Sequence, residues 1–243
     1  MKILEKLKNR NTDIFGCEPV TIAFLGDSVT NGCFELFITP SGAIDTVFER
    51  YNAYGARLTR MLSYLFPRAQ LNAVNAGISG DSAPSGLRRV ERDVLRFQPD
   101  LTVVCYGLND CSQGTGEAEV RRYTEALRGI FEKLQAAGGE VIFMTPNLMC
   151  DYASRRITDK QIYESAVSTC KITQSGALDV YLDAARTVAK ECGVAVCDCN
   201  ARWKKLKEAG VDVTSLLANE TNHPKREMHD LFAVSLLETI FEV

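Results

Sequence analysis

Residues 19–25 read PVTIAFL and run directly into Gly26-Asp27-Ser28. The run is too continuous for a strand with one wet face. It reads as a strand covered on both sides that ends in a turn. Four further runs have the same form: residues 71–76 (LNAVNA) stop at Gly77, 101–106 (LTVVCY) at Gly107, 141–145 (VIFMT) at Pro146, and 194–197 (VAVC) at Asp198. Between them the apolar spacing changes to threes and fours. Residues 54–66 carry Leu58, Met61, Leu62 and Leu65; residues 87–97 carry Leu87, Val90, Val94 and Leu95; residues 120–136 carry Tyr123, Leu127, Ile130, Phe131 and Leu134 before Gly138-Gly139. Residues 177–192 and 228–241 continue the series. This spacing predicts helices. A repeated strand–helix order predicts an α/β fold, an open parallel sheet with helices on both faces and right-handed crossovers. No low-complexity linker or internal repeat divides the chain, so residues 1–243 are expected to form a single domain.

Composition narrows the function. Of 243 residues, 46% are hydrophobic and 24% charged, and the net charge of −3 supplies no general basic field for nucleic acid or an anionic membrane. No window approaches the 18 apolar residues of a membrane span. The first residues, MKILEKLKNRNTDIF, lack the apolar stretch of a secretion signal, and the nine cysteines are scattered, so free thiols and a cytoplasmic location are expected. Cys197 and Cys199 share a face of their strand, but no second pair completes a metal site, and neither metal nor cofactor is expected. Only two histidines exist, His223 and His229, so any histidine base is one of them.

Two segments leave the pattern, residues 32–49 after the first strand and 147–175 after the fourth. Segments leaving the carboxyl ends of such strands line the ligand crevice, so these two are expected to shape the substrate site.

Four short motifs supply chemistry. Ser28 follows a strand by two residues and can expose its hydroxyl above the sheet edge, although alone Gly-Asp-Ser is an ordinary turn. It is neither a G-x-S-x-G elbow nor part of a phosphate loop, and no G-x-G-x-x-G fingerprint supports a nucleotide or flavin site. Asn75-Ala76-Gly77-Ile78-Ser79-Gly80 can bring a backbone N–H close to a developing oxyanion. Gly107-Leu108-Asn109-Asp110 adds a carboxamide donor. In Asn219-Glu220-Thr221-Asn222-His223-Pro224, His223 lies in a polar loop with Glu220 three residues upstream, within reach of its imidazole. His229, beside Asp230 inside a helix, reads as a surface or supporting residue. The four motifs lie at strand ends or in the last loop, where one crevice gathers nucleophile, base, acid and oxyanion donors.

Taken together, these motifs resemble the SGNH hydrolases, the GDSL-type esterases and lipases. The resemblance rests on Gly26-Asp27-Ser28, Gly80, Gly107-Leu108-Asn109-Asp110 and His223-Pro224, and spans residues 26–224. It implies a three-layer, flavodoxin-like fold with about five parallel strands. It implies Ser28 as nucleophile, His223 as base, and Ser28 N–H, Gly80 N–H and Asn109 as the oxyanion hole, with Asp27 and Asp110 in support. The family usually places Asp three residues before the histidine, and this chain has Glu220. The acid is therefore Glu220, a backbone carbonyl, or nothing strong, with Asp198 a second candidate.

The implied reaction is ester hydrolysis by a serine nucleophile. Asn147, Asp151, Tyr152, Arg155 and Arg156 point to a hydroxylated substrate, a short-acyl or carbohydrate ester. Phe34, Leu36, Phe37, Ile38 and Phe48 would instead build an acyl pocket, as in a lipase, lysophospholipase or thioesterase. A silent glycan- or protein-binding member is the alternative of another class, with the retained Ser28–His223 pair against it.

Overall fold

A computed structural model describes residues 1–242. Five parallel strands form the central sheet: β1 (Val20–Gly26), β4 (Leu71–Gly77), β5 (Leu101–Cys105), β6 (Glu140–Met144) and β7 (Ala195–Cys197), in the order β4-β1-β5-β6-β7. The order is that of a flavodoxin-like sheet. After β1 the chain adds β4 on one side, then returns to lay β5 on the other. The crevice at such a reversal opens at the carboxyl ends of β1 and β5. Gly26 pairs with Gly77 and with Cys105 in register, so three strand ends converge there.

The apolar runs behave as expected in the middle of the sheet, where β1, β5 and β6 are almost wholly buried. The two outer strands differ. β4 is an edge strand with most of its residues partly or fully exposed, and β7 is three residues long. Asn72 and Asn75 in the LNAVNA run are tolerated because one side of β4 has no neighbouring strand.

Helices cover both faces. α3 (Tyr54–Leu65) packs with α9 (His229–Phe241) on one, with α1 (Lys2–Thr12) and α8 (Cys199–Glu208) against α9; α4 (Ala83–Asp93), α5 (Glu117–Ala136) and α7 (Ala177–Glu191) pack in series on the other. α1 and α8 lie outside the periodic segments of the sequence. Each buries a narrow stripe, Ile3 and Leu7 in one and Cys199, Asn200 and Trp203 in the other, too little apolar surface to set a clear period. The helix over residues 87–97 starts earlier, at Ala83, and gives way to a 3-10 turn at Leu95–Phe97.

The two irregular segments are structured. The first contains an antiparallel hairpin, β2 (Cys33–Ile38) and β3 (Ile44–Phe48), whose register shifts between Cys33 and Leu36. The second contains a loop and α6 (Lys160–Gln174), whose N-terminus is capped by the Asp159 carboxylate accepting from Gln161 and Ile162 N–H. No helix among the described residues is long and apolar enough to cross a membrane.

Candidate active site

Ser28 opens a single helical turn, α2 (Ser28–Asn31), directly beyond β1. Asp27 caps the turn, its Oδ1 accepting the Val29 N–H at 3.0 Å. The turn is held from three sides. Asn75 Nδ2 donates to the Thr30 carbonyl at 2.9 Å, Thr30 Oγ1 bonds Tyr54 Oη at 2.8 Å, and Arg50 Nε donates to Asn31 Oδ1 at 3.1 Å. Gly77 is required by this approach, since a Cβ there would lie 2.2 Å from the Asn31 nitrogen.

His223 meets Ser28 from the far side. The loop carrying it is a short antiparallel bridge, Leu217 against Pro224, closed by Ala218 N–H donating to the His223 carbonyl at 2.7 Å. Asn219 Oδ1 gathers the N–H groups of Thr221, Asn222 and His223 at 3.0, 2.9 and 2.8 Å. The segment after β6 braces the loop, with Asn147 Nδ2 donating to the Asn222 carbonyl at 2.8 Å and Cys150 N–H to the Thr221 carbonyl at 2.7 Å.

The imidazole is buried. Its Nε2 lies 2.9 Å from Ser28 Oγ and its Nδ1 lies 2.9 Å from the Phe34 carbonyl oxygen. A carbonyl only accepts, so Nδ1 carries the hydrogen and Nε2 presents a lone pair to the Ser28 hydroxyl. Burial pushes the imidazole pKa down to about 4, only partly opposed by the Phe34 hydrogen bond. The ring is therefore neutral at pH 7 and in the tautomer of a base.

Glu220 does not reach this ring. It occupies the left-handed region with φ 56°, which turns its side chain out of the loop, and its Oε1 pairs with Arg156 Nε at 2.6 Å. The expected carboxylate contact is replaced by the Phe34 carbonyl. Asp198 is committed elsewhere, accepting from Arg186, Thr145 and the Ala201 N–H at the start of α8. His229 is not a surface residue. It is fully buried, accepts the Tyr54 N–H at Nδ1 (3.1 Å), and stacks on the Tyr54 ring.

Gly80 and Asn109 line the same cavity as Ser28 and His223. Gly80 sits in the Ile78–Asp81 turn with φ 75°, a conformation that favours glycine. Among the described residues, neither Ser28 N–H nor Gly80 N–H has an acceptor within the protein. Asn109 Nδ2 donates one hydrogen to the Asp81 carbonyl at 2.9 Å, leaving its second hydrogen free. Asp110 Oδ1 accepts the Ala83 N–H at 2.9 Å and so caps α4 from another loop. Burial raises the Asp27 carboxyl to about 7 and that of Asp110 to about 6, and each carries an unpartnered oxygen.

Asp81 and Arg89 have no signature in the sequence beyond lying next to Gly80 and on α4. The Asp81 carboxylate accepts from Arg89 and from Tyr106 Oη, while Arg89 also donates to the carbonyls of Ala76 (2.7 Å) and Gly26 (3.0 Å). This buried group ties the ends of β1 and β4 to the Gly80 turn. Phe34 left no signal either, because its contribution is a backbone oxygen.

The cavity over Ser28 has a volume of about 250 Å³, with Leu36, Ile44, Thr46, Ser79 and Thr169 in its walls. A groove of about 450 Å³ containing Gln113, Arg122 and Tyr181 adjoins it at Gly80 and Asn109. Another of about 420 Å³, containing Phe37, Ile38, Ile157 and Ile162, adjoins it at Leu36 and Asn219. The polar residues expected to face substrate mostly do not. Asn147 is buried in the loop brace, Asp151 pairs with Lys207 and Tyr152 Oη donates to Asp212, leaving Arg156 in the groove beyond Leu36 and Arg155 exposed. Phe34 is fully buried and Phe48 is exposed. Among the described residues, no three His, Cys, Asp or Glu side chains converge as a metal site.

The model of the GDSL-like Lipase/Acylhydrolase family matches residues 24–231, which include every one of these groups. The chain belongs to that family. Within it, the chain is 30% identical over 89 residues to an acetylxylan esterase of Geobacillus stearothermophilus, covering 37% of this chain and 39% of that protein. It is 31% identical over 88 residues to thioesterase 1/protease 1/lysophospholipase L1 of Escherichia coli strain K12, covering 36% and 41%. The matched stretches thus span about two fifths of those curated relatives. The crystal structure of an acetylxylan esterase from Geobacillus stearothermophilus superposes with a TM-score of 0.65 at 19% identity, covering 91% of this chain and 94% of that one, which shows the shared fold.

Proposed function

We propose that the protein is a serine ester hydrolase acting on short-acyl esters, with the O-acetyl groups of carbohydrates as the favoured class. The observation that carries the reading is the 2.9 Å approach of Ser28 Oγ to a buried, neutral His223 Nε2. Ser28 Oγ attacks the ester carbonyl carbon as its proton passes to His223, and the carbonyl electron pair moves onto oxygen. Ser28 N–H, Gly80 N–H and the free Asn109 hydrogen receive that oxyanion. Collapse breaks the bond to the alcohol, which takes the proton from His223. Water then attacks the acyl-serine with His223 again as base, releasing the acid and restoring Ser28. The Phe34 carbonyl takes the place of the third member, holding the tautomer throughout. Asp27 and Asp110 support the turn bearing Ser28 and the helix behind the oxyanion donors.

A cavity of about 250 Å³ suits a short acyl group. The polar groove beside it suits an alcohol rich in hydroxyls, in keeping with the acetylxylan esterase relative. The groove beyond Leu36, which sets Phe37, Ile38 and Ile162 among polar residues, favours a second reading, a thioesterase or lysophospholipase whose longer acyl chain lies along those three side chains.

The test is hydrolysis of p-nitrophenyl esters from acetate to palmitate, and of acyl thioesters over the same chain lengths, by wild type and S28A. Turnover confined to acetate and butyrate, and abolished in S28A, is expected. A maximum at long chains would select the second reading. No Ser28-dependent turnover on any ester or thioester would overturn both and leave a binding role.

A further inference from the structure

The hydrogen bond that replaces a triad carboxylate comes from an irregular place in the hairpin. Cys33 pairs with Phe48, but Leu36 pairs with Thr46, so β2 holds one residue more than β3 between these points. Phe34 and Glu35 lie in that bulge. A bulge frees one residue from the ladder and re-aims its groups, and here the freed Phe34 carbonyl faces His223. A carbonyl on a two-stranded hairpin is a poor orienter unless the hairpin is fixed, because such a unit is marginal alone.

Arg226 fixes it. Its guanidinium donates to both Glu35 oxygens (2.6 and 3.0 Å) and to both Glu49 oxygens (2.8 and 2.6 Å). Glu35 is bonded to Phe34, and Glu49 follows the end of β3. The same guanidinium lies over the Phe34 ring, 4.4 Å from its centroid. Thr46 Oγ1 donates to the Glu35 carbonyl at 3.1 Å, holding the far side of the bulge. Arg226 is three residues from His223, so one short segment grips the hairpin at two points, through the imidazole and through the guanidinium. Both carboxyls are held below their usual range, chiefly by hydrogen bonds to Arg226.

We propose that Arg226, gripping Glu35 and Glu49, is a positioning residue for His223 that presses the bulged Phe34 carbonyl onto Nδ1 and so stands in for the missing triad acid. The proposal rests on His223 being the base. Arg226 touches neither substrate nor reacting atoms, and its effect passes wholly through the hairpin. Without it, two glutamates face each other across the hairpin and repel, and the bulge opens. Lysine keeps one charge but cannot bind two carboxylates in a fixed planar fork.

The test compares wild type with R226M, R226K and E49Q. In R226M, kcat on p-nitrophenyl acetate is expected to fall about 10- to 100-fold, with KM changed by less than about twofold. R226K should recover part of the loss. The distinguishing readout is the NMR titration of His223, assigned by loss of its signals in H223A. In R226M the lost Phe34 hydrogen bond alone would lower its midpoint, but the water that enters as the bulge opens removes the larger effect of burial, so the midpoint should move up from about 4 toward the ordinary 6.5, and the Nδ1–H signal should lose its hydrogen-bonded shift. A folded R226M with wild-type kcat and an unmoved His223 titration would overturn the proposal. If R226M fails to fold, E49Q removes one anchor only. A smaller upward shift in E49Q supports the clamp, and none overturns it. The titration needs no substrate, so it decides the clamp even if no ester is hydrolysed, an outcome that would count against the esterase reading alone.

Discussion

Asn109 and Glu220 are each a polar residue within a short motif, yet the structure separates them. Asn109 keeps a free amide hydrogen over the cavity at Ser28. N109A is expected to lower kcat by about 10²–10³-fold, the usual cost of one oxyanion donor, without changing the melting temperature by more than a few degrees. Steady-state kinetics beside a thermal melt checks this, and unchanged turnover would remove Asn109 from the hole. Glu220 faces Arg156. Turnover in E220A is therefore expected to stay within about threefold of wild type, because the carboxylate pairs with Arg156 and not with the imidazole. A loss as large as that of N109A would show that the carboxylate reaches His223 during the reaction. Ser28 and His223 stand out in the sequence as candidates because their chemistry lies in their side chains. The Phe34 carbonyl does not, since every residue has one and only tertiary structure decides which oxygen meets the ring. Glu220 misled because spacing measures reach along the chain, while a φ of 56° sets direction.

At the scale of elements, the buried strands were the most legible part of the fold, because burial on both faces leaves a continuous apolar run. The hairpin β2–β3 was hidden for the opposite reason. Its residues are mostly partly or fully exposed, and its bulge breaks the alternation that would have announced it. What joins these elements at the site is the Arg89 group. Its guanidinium holds the carbonyls at the ends of β1 and β4 and the carboxylate of Asp81, all buried. R89M removes one partner and leaves a carboxylate uncompensated in the interior. The expected loss is about 3–5 kcal/mol of unfolding free energy. Urea denaturation measures it. A change below about 1 kcal/mol, within the range of exposed pairs, would show that water replaces the guanidinium without strain. If R89M remains folded at low temperature, its kcat should also drop, because the Asp81 carbonyl that holds Asn109 sits on the same turn.

For the whole molecule, two sets of buried groups oppose each other in their response to acid. His223 and His229 are pushed by burial from 6.5 down to about 4 and about 3. In the unfolded chain they take up protons near 6.5, so the stability linked to them is complete above that pH and is lost as pH falls toward 4. Asp27 and Asp110 run the other way, raised by burial from 3.8 to about 7 and about 6. The folded protein keeps those protons where the unfolded chain has released them. Their contribution is therefore complete below 3.8 and declines as pH rises toward 7. Between about 4 and 6.5 the two trends offset, and the wild-type melting temperature should vary little there. D27N separates them. Asparagine keeps an Oδ1 acceptor for the Val29 N–H and carries no charge. Its melting temperature relative to wild type should climb from pH 4 to 7 and level off above. Within D27N itself, the melting temperature should fall more steeply on acidification below 6.5, because the histidine trend is less opposed. Melts at half-unit steps from pH 4 to 8 distinguish the cases. Parallel curves for D27N and wild type would mean that Asp27 is ionised throughout, and the carboxylate beside Ser28 would then be a fixed charge rather than a buried acid.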